Sequence, residues 1–224
     1  MRGLSLVVSL SAGFALAEDL APTQFKTQLE AQQGLVLDVR TPAEVAKGKL
    51  AGASVIDFNA PKFEQKVALI DHKKPVFVYC ARGGRSSQAV ALMTKLGFTK
   101  VYNLSGGLAA WNADGLPVEA GSASPTASGE GVTPEAFDAL LKKEKRLLVD
   151  FQTPWCTPCQ KMGPVVDALK GIKVVKVDLD QSEELGAREK IQGVPVFVLY
   201  VEGKEKARLS GEQPAAALEG LAKK

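Results

Sequence analysis

Gly121-Ser122-Ala123-Ser124-Pro125-Thr126-Ala127-Ser128-Gly129-Glu130-Gly131 contains no large apolar side chain. A stretch this rich in Gly, Ser and Pro cannot bury enough surface to offset the entropy of ordering it, so residues 121–131 are expected to be a flexible linker. It divides the 224-residue chain into two parts of similar size, each long enough for a small domain. On both sides of it, short apolar runs alternate with segments of helical spacing. Each part is therefore expected to be an α/β unit.

Upstream, Leu35-Val36-Leu37-Asp38-Val39, Val76-Phe77-Val78-Tyr79 and Val101-Tyr102-Asn103-Leu104 have the length and composition of buried parallel strands. Thr23 is expected to cap a helix that carries Phe25 and Leu29 and ends at Gly34. Thr41-Pro42-Ala43-Glu44 is a capping box with proline at the first helical position. Ala89, Leu92, Met93 and Leu96 recur at helical spacing, predicting a helix from about Ser86 to Gly97. Downstream, Thr133-Pro134 starts a helix with Phe137, Leu140 and Leu141. Strands are expected at Leu147–Phe151, Val174–Val177, Val196–Val201 and Lys204–Leu209. A helix after Cys156 carries Met162, Val165, Val166 and Leu169, and another closes the unit over Pro214–Ala222.

The charge balance is close to neutral at +3. With no basic run interleaved with aromatics, a nucleic-acid partner is not expected. His72 is the one histidine, which leaves no histidine metal cluster, and it is expected in a solvated loop before the strand at Val76. At the start of the chain, Arg2, the apolar run Gly3 to Phe14 and the small-residue pattern Ala15-Leu16-Ala17 have the anatomy of a secretory signal peptide, 1–17, cut before Glu18. The mature protein is then expected to be periplasmic or secreted, without stable membrane insertion. In such an oxidising compartment disulfides persist. Three cysteines, Cys80, Cys156 and Cys159, are too few to staple a fold and are read as chemical groups.

Cys80 stands at the carboxyl end of a predicted strand, where open α/β sheets bind ligands. Ala81-Arg82-Gly83-Gly84-Arg85-Ser86 follows. Gly83 and Gly84 let backbone amides curl inward as an anion nest, the next helix adds its positive end, and Arg82 and Arg85 add charge, one of them able to fork onto an oxyanion. All of this favours a thiolate, a persulfide or a bound anionic donor over a buried neutral thiol. Cys80-Ala81-Arg82-Gly83-Gly84-Arg85 resembles the C-x-x-G-x-R loop of rhodanese-domain sulfurtransferases. Leu37-Asp38-Val39-Arg40 with Pro42 and Glu44, the segment Gly48–Ala53, Gly106-Gly107 with Trp111, and Gly115-Leu116-Pro117-Val118 resemble further family segments, Lys49 standing where a histidine is frequent. The resemblance covers about Pro22 to Val118. It implies that Cys80 accepts sulfur, that Arg85 closes the loop, and that a sulfane-sulfur donor such as thiosulfate is the substrate. Asp38, Arg40 and Glu44 are read as a structural charge and capping network.

Trp155-Cys156-Thr157-Pro158-Cys159 is a C-x-x-C after a strand, either a redox pair or half of a zinc site. No second C-x-x-C supplies the remaining zinc ligands, so neither metal nor cofactor is expected. At a helix start the amides and dipole lower the pKa of Cys156, and Cys159 lies one turn on, within disulfide reach. Val149-Asp150-Phe151, Trp155-Cys156-x-Pro158-Cys159, Pro164, Gly193-Val194-Pro195, Gly203 and Gly211 fall at the spacing of the thioredoxin family, which this half resembles from about Val132 to Leu221. The resemblance implies an attacking Cys156, a resolving Cys159, a buried Asp150 that moves a proton for Cys159, and a groove shaped by Trp155, Val194 and a cis Pro195.

The expected architecture is thus a signal peptide, a rhodanese-like α/β domain with a parallel sheet over 18–120, the linker, and a thioredoxin-fold domain over 132–224. The expected activity joins sulfur transfer at Cys80 to thiol–disulfide exchange at Cys156/Cys159, with protein thiols or disulfides and an external electron donor as partners. Two alternatives are a disulfide oxidoreductase whose first domain docks or senses, and a non-catalytic interaction protein that keeps a relic loop.

Overall fold

The computed structural model describes residues 16–121 and 131–224. The expected signal segment up to Ala15, and most of the linker, lie outside the described residues. The first unit runs β1 (Leu16–Leu20), α1 (Pro22–Gln32), β2 (Leu35–Asp38), α2 (Pro42–Val45), β3 (Ser54–Val55), α3 (Phe63–Val67), β4 (Val76–Tyr79), α4 (Gly84–Lys95), β5 (Lys100–Leu104) and α5 (Gly107–Ala113). Its sheet has the order β1-β5-β4-β2-β3, and every pairing is parallel.

Strand alternation explains how this sheet is buried on both faces. Val76, Val78 and Cys80 pack with Ala89 and Met93 of α4 on one side. Phe77 and Tyr79 pack with Phe25 of α1 and Trp111 of α5 on the other. Tyr79 also donates a 2.6 Å hydrogen bond to buried Asp38, whose carboxylate holds Arg40 Nε at 2.9 and 3.0 Å.

The second unit runs α6 (Pro134–Lys143), β6 (Arg146–Gln152), α7 (Thr157–Asp167), β7 (Lys173–Asp178), α8 (Glu183–Arg188), β8 (Val196–Val201), β9 (Lys204–Ser210) and α9 (Ala215–Lys223). Its sheet order is β7-β6-β8-β9, with β6 parallel to β7 and antiparallel to β8. Leu147, Val149 and Phe151 face Phe137 of α6. Leu148 faces Met162 and Val166 of α7 and Leu218 of α9. The expected pair of α/β units, the first with a parallel sheet, is what the chain forms.

Several expectations are corrected. The cap of α1 is Ala21, because Pro22 already takes the first helical position; Thr23 lies inside the helix. That helix closes at Gln33, whose left-handed backbone lets its N–H reach Leu29, one residue before Gly34. α4 begins at Gly84, two residues ahead of Ser86. α7 stops at Asp167 with Ala168 as its cap, so Leu169 packs from beyond the helix. His72 is half-buried and stacked on Phe98 at 4.1 Å, because the aromatic ring offers its flat face more contact than water does. Apart from these corrections, β1 includes Leu16 and Ala17, just ahead of the expected cut before Glu18, with Leu16 opposite Lys100 and Ala17 opposite Val101.

The two units pack together. Phe63, Val67 and Ile70 of the first share one apolar cluster with Trp155, Cys156 and Cys159 of the second. Lys62 pairs with Glu183 at 2.6 Å and Lys66 with Asp180 at 2.7 Å. The Thr157 N–H donates to Ser54 Oγ at 3.1 Å.

Candidate active sites

β4 delivers Cys80 to the carboxyl edge of the first sheet, and the chain then curls into α4. Gly83 takes a left-handed backbone, φ 97°, which few side chains tolerate and which turns its amide back toward the sulfur. The Cys80 sulfur accepts from the Gly83 N–H at 3.1 Å and from the Ser86 hydroxyl at 3.5 Å. Burial alone would push this thiol up. The Ser86 hydroxyl and the amides of Ser86, Arg82 and Gly83 outweigh burial, so the thiol lies below its ordinary value.

Arg85 does not stand free for an anion. Its guanidinium forks onto Glu44 at 2.7 and 2.6 Å. That bond, with further hydrogen bonds from Thr41, holds the Glu44 carboxyl down at about 2 against the opposing effect of burial. Glu44 also completes the capping box on Thr41, accepting from its N–H at 3.0 Å. The loop that bears Cys80 is thus tied through Arg85 to α2. Arg82 is exposed in this loop, and exposed Gly84 opens α4.

A second clamp was not visible as such in the sequence. The Leu108 N–H donates to the Cys80 carbonyl at 2.8 Å and the Ala109 N–H to that of Ala81 at 3.0 Å. The start of α5 therefore binds the carbonyl side of the loop while the loop's own amides serve the sulfur. Gly107 makes this approach possible: a Cβ there would sit 2.5 Å from the Cys80 carbonyl oxygen and 2.7 Å from the Arg82 nitrogen. The two adjacent glycines Gly106-Gly107 were the signal. The role of Ser86 had none beyond a hydroxyl at the mouth of a helix.

In the second unit Cys156 caps α7, its sulfur accepting the Cys159 N–H at 3.1 Å, and the two cysteines are joined in a disulfide. Both are nearly inaccessible, 2% exposed. Trp155 Nε1 donates to Asp180 at 3.1 Å, the carboxylate that also takes Lys66. The Val194–Pro195 peptide is cis, and the Pro195 carbonyl accepts from Gly211 at 2.7 Å.

Asp150 lies on β6 and, by strand alternation, on the same face as Leu148, beneath α7. Neither of its oxygens finds a hydrogen-bond partner among the described residues. Burial pushes its carboxyl up to about 7; Lys176 opposes that rise and Asp167 adds to it. A carboxyl poised there can hold or release a proton near neutrality.

The structure opens Cys156, Thr157, Pro158, Val194 and Pro195 onto a cleft of about 1380 Å³ whose other wall belongs to the first unit. Cys80 does not line it. The two sulfur centres share an apolar cluster but not this cleft.

Comparison with known proteins matches each unit separately. The Rhodanese-like domain family model matches residues 21–114 and the Thioredoxin family model residues 130–224. A sulfurtransferase of Allochromatium vinosum is 37% identical over 86 residues, 38% of this chain and 78% of that protein. A thioredoxin of Streptomyces clavuligerus is 34% identical over 94 residues, 40% of this chain and 88% of that protein. Thioredoxin Y, chloroplastic, of Oryza sativa subsp. japonica is 38% identical over 89 residues, and the chain spans about half, 53%, of its length.

Proposed function

Because the chain belongs to both the rhodanese-like and the thioredoxin families, one domain of each, we propose that it is an exported enzyme that couples sulfur transfer to thiol–disulfide exchange. The Cys80 thiolate attacks the outer sulfur of thiosulfate or a similar anionic donor. A sulfur–sulfur bond forms on Cys80, and sulfite leaves with the electron pair of the bond that breaks. Once the two domains part to expose both sulfurs, which are buried when the domains are packed together, the Cys156 thiolate of the reduced second domain takes the outer sulfur of that persulfide and Cys80 leaves as thiolate. Cys159 attacks Cys156, closes the disulfide and expels hydrosulfide. An external dithiol reopens the pair.

The observation that carries this reading is the Cys80 sulfur held by the Gly83 amide and the Ser86 hydroxyl, a nest that suits anionic sulfur. Mass spectrometry after thiosulfate treatment tests it. One added sulfur on Cys80, absent in Cys80→Ser, is the expected result; an unmodified Cys80 overturns it. Export is tested by the N-terminus of the protein recovered from cells, expected at Glu18.

A second reading makes the first domain a docking module for a disulfide oxidoreductase. It is favoured by the first domain lying over Trp155, Cys156 and Thr157, and by Cys80 lying outside the cleft onto which Cys156 opens. Under it, Cys80→Ser leaves insulin disulfide reduction intact, and Cys80 takes up no sulfur.

A further inference from the structure

We propose that the cleft between the two domains is the substrate subsite of the Cys156–Cys159 pair, that it selects small anionic disulfides and persulfides, and that Lys73 and Lys74 of the rhodanese-like domain determine this specificity. The inference rests on the thiol–disulfide reading above and names the substrate class of that site.

One wall of the cleft is the redox centre itself: Cys156, the start of α7 and the cis Val194–Pro195 peptide. The facing wall is the loop from Asp71 to Lys74 that leads into β4. This loop is seated against the redox domain. A Cβ on Gly193 would lie 3.4 Å from the Asp71 backbone, and one on Gly211 would lie 2.6 Å from the Lys74 ammonium. Gly211 is the residue whose N–H holds the Pro195 carbonyl, so the rhodanese-like domain places a cation beside the cis-proline segment.

The charges lining the cleft are unequal. Lys73, Lys74, Lys161, Lys190 and Arg208 face only Asp71 and Glu212. Arg208 is engaged by Glu205, and the Asp71 carboxylate already accepts the Lys73 amide at 3.0 Å. The four lysines make no ion pair among the described residues. A cleft of one sign between low-dielectric walls concentrates the opposite sign. Size is limited as well. With Cys156 2% exposed and Trp155 7% exposed beneath the first domain, a compact protein disulfide is kept out while the domains stay packed, and the cleft of about 1380 Å³ is left to low-mass substrates.

The reaction balances without a further reagent once the pair is reduced. The Cys156 thiolate bonds to one substrate sulfur and the substrate S–S bond breaks, releasing one thiolate. Cys159 then bonds to Cys156 and expels the second thiolate. Two electrons pass from the dithiol to the substrate, and the protons of the two cysteines go to solvent or to the leaving thiolates.

The test is single-turnover formation of the Cys156–Cys159 disulfide, read by peptide mass after acid quench so that the free Cys80 thiol does not contribute, in the DTT-reduced, desalted full chain treated with dithiobis(nitrobenzoate), a dianion, with cystamine, a dication, and with neutral hydroxyethyl disulfide. Each charged rate is divided by the neutral rate of the same preparation. The expected result is an anion-to-cation ratio that falls about tenfold or more in Lys73→Glu/Lys74→Glu, moves the same way in Lys161→Glu, and shrinks in the wild type as salt is raised. The salt arm needs no variant and stands even if a variant folds poorly. A ratio indifferent to both salt and substitution overturns the proposal alone. A wild-type chain that reduces none of the three disulfides overturns the redox reading, and the proposal with it.

Discussion

At the scale of single residues, the two domains tune opposite groups. Around Cys80 the hydrogen bonds defeat burial; around Asp150 nothing does. Ser86→Ala removes the hydroxyl donor to Cys80 and leaves the amides, so the thiol should titrate at higher pH. Its alkylation by iodoacetamide at pH 7 should slow about three- to tenfold, in line with the loss of one hydrogen bond to a charged group. For Asp150 the sign is reversed. Its folded value, about 7 against an ordinary 3.8, means that the native state keeps a proton the unfolded chain has released. Stability therefore falls as pH rises from about 4 to about 7, by at most about 4 kcal/mol. Asp150→Asn should raise Tm by about 4–8 °C at pH 8 and by little at pH 4, as followed by calorimetry. Cys80, its glycines and the C-x-x-C pair could be read from the sequence because few other roles explain such residues together. Ser86 could not, since a serine at a helix start has many uses. Nor could the partner of Arg85, because Glu44 lies 41 positions away in sequence and only the fold brings them together.

At the scale of elements, legibility followed how local the determinants are. The capping box at Thr41 and the proline starts at Pro42 and Pro134 form as written, since each is settled within four residues. β3 and α3 carry no clear signal in the sequence. β3 has two residues, and α3 offers only Phe63 and Val67 as buried anchors and starts from Lys62 in a left-handed conformation. Such a helix is held by what it packs against rather than by its own propensity. In α5 the paired glycines stand out in the sequence, whereas the grip of its first turn on the Cys80 loop exists only in the fold. Gly107→Ala would force a methyl into the Cys80 carbonyl at a backbone φ of 60°. It should cost more than about 2 kcal/mol in urea unfolding and abolish sulfur loading of Cys80, while Gly115→Ala, strained by a similar backbone φ of 66° but with nothing within 4 Å of its Cβ, should lose stability yet leave loading intact.

At the scale of the molecule, the sequence indicated two units and a seam but not how they meet, because interface residues such as Ser54, Lys62 and Asp180 carry no periodic signal. Their contact covers the disulfide. The exposed Lys62–Glu183 pair is worth little by itself, but reversing both lysines opposes Glu183 and the part-buried Asp180 with like charge. Lys62→Glu/Lys66→Glu should therefore part the domains and raise insulin reduction about three- to tenfold in a turbidity assay. The first strand holds a different consequence. Removal of residues 1–17 would take two of the five rungs of β1, those opposite Lys100 and Val101. Precursor and mature protein would then differ in deuterium uptake as well as in mass, with faster labelling of the amides that open β5 after trimming.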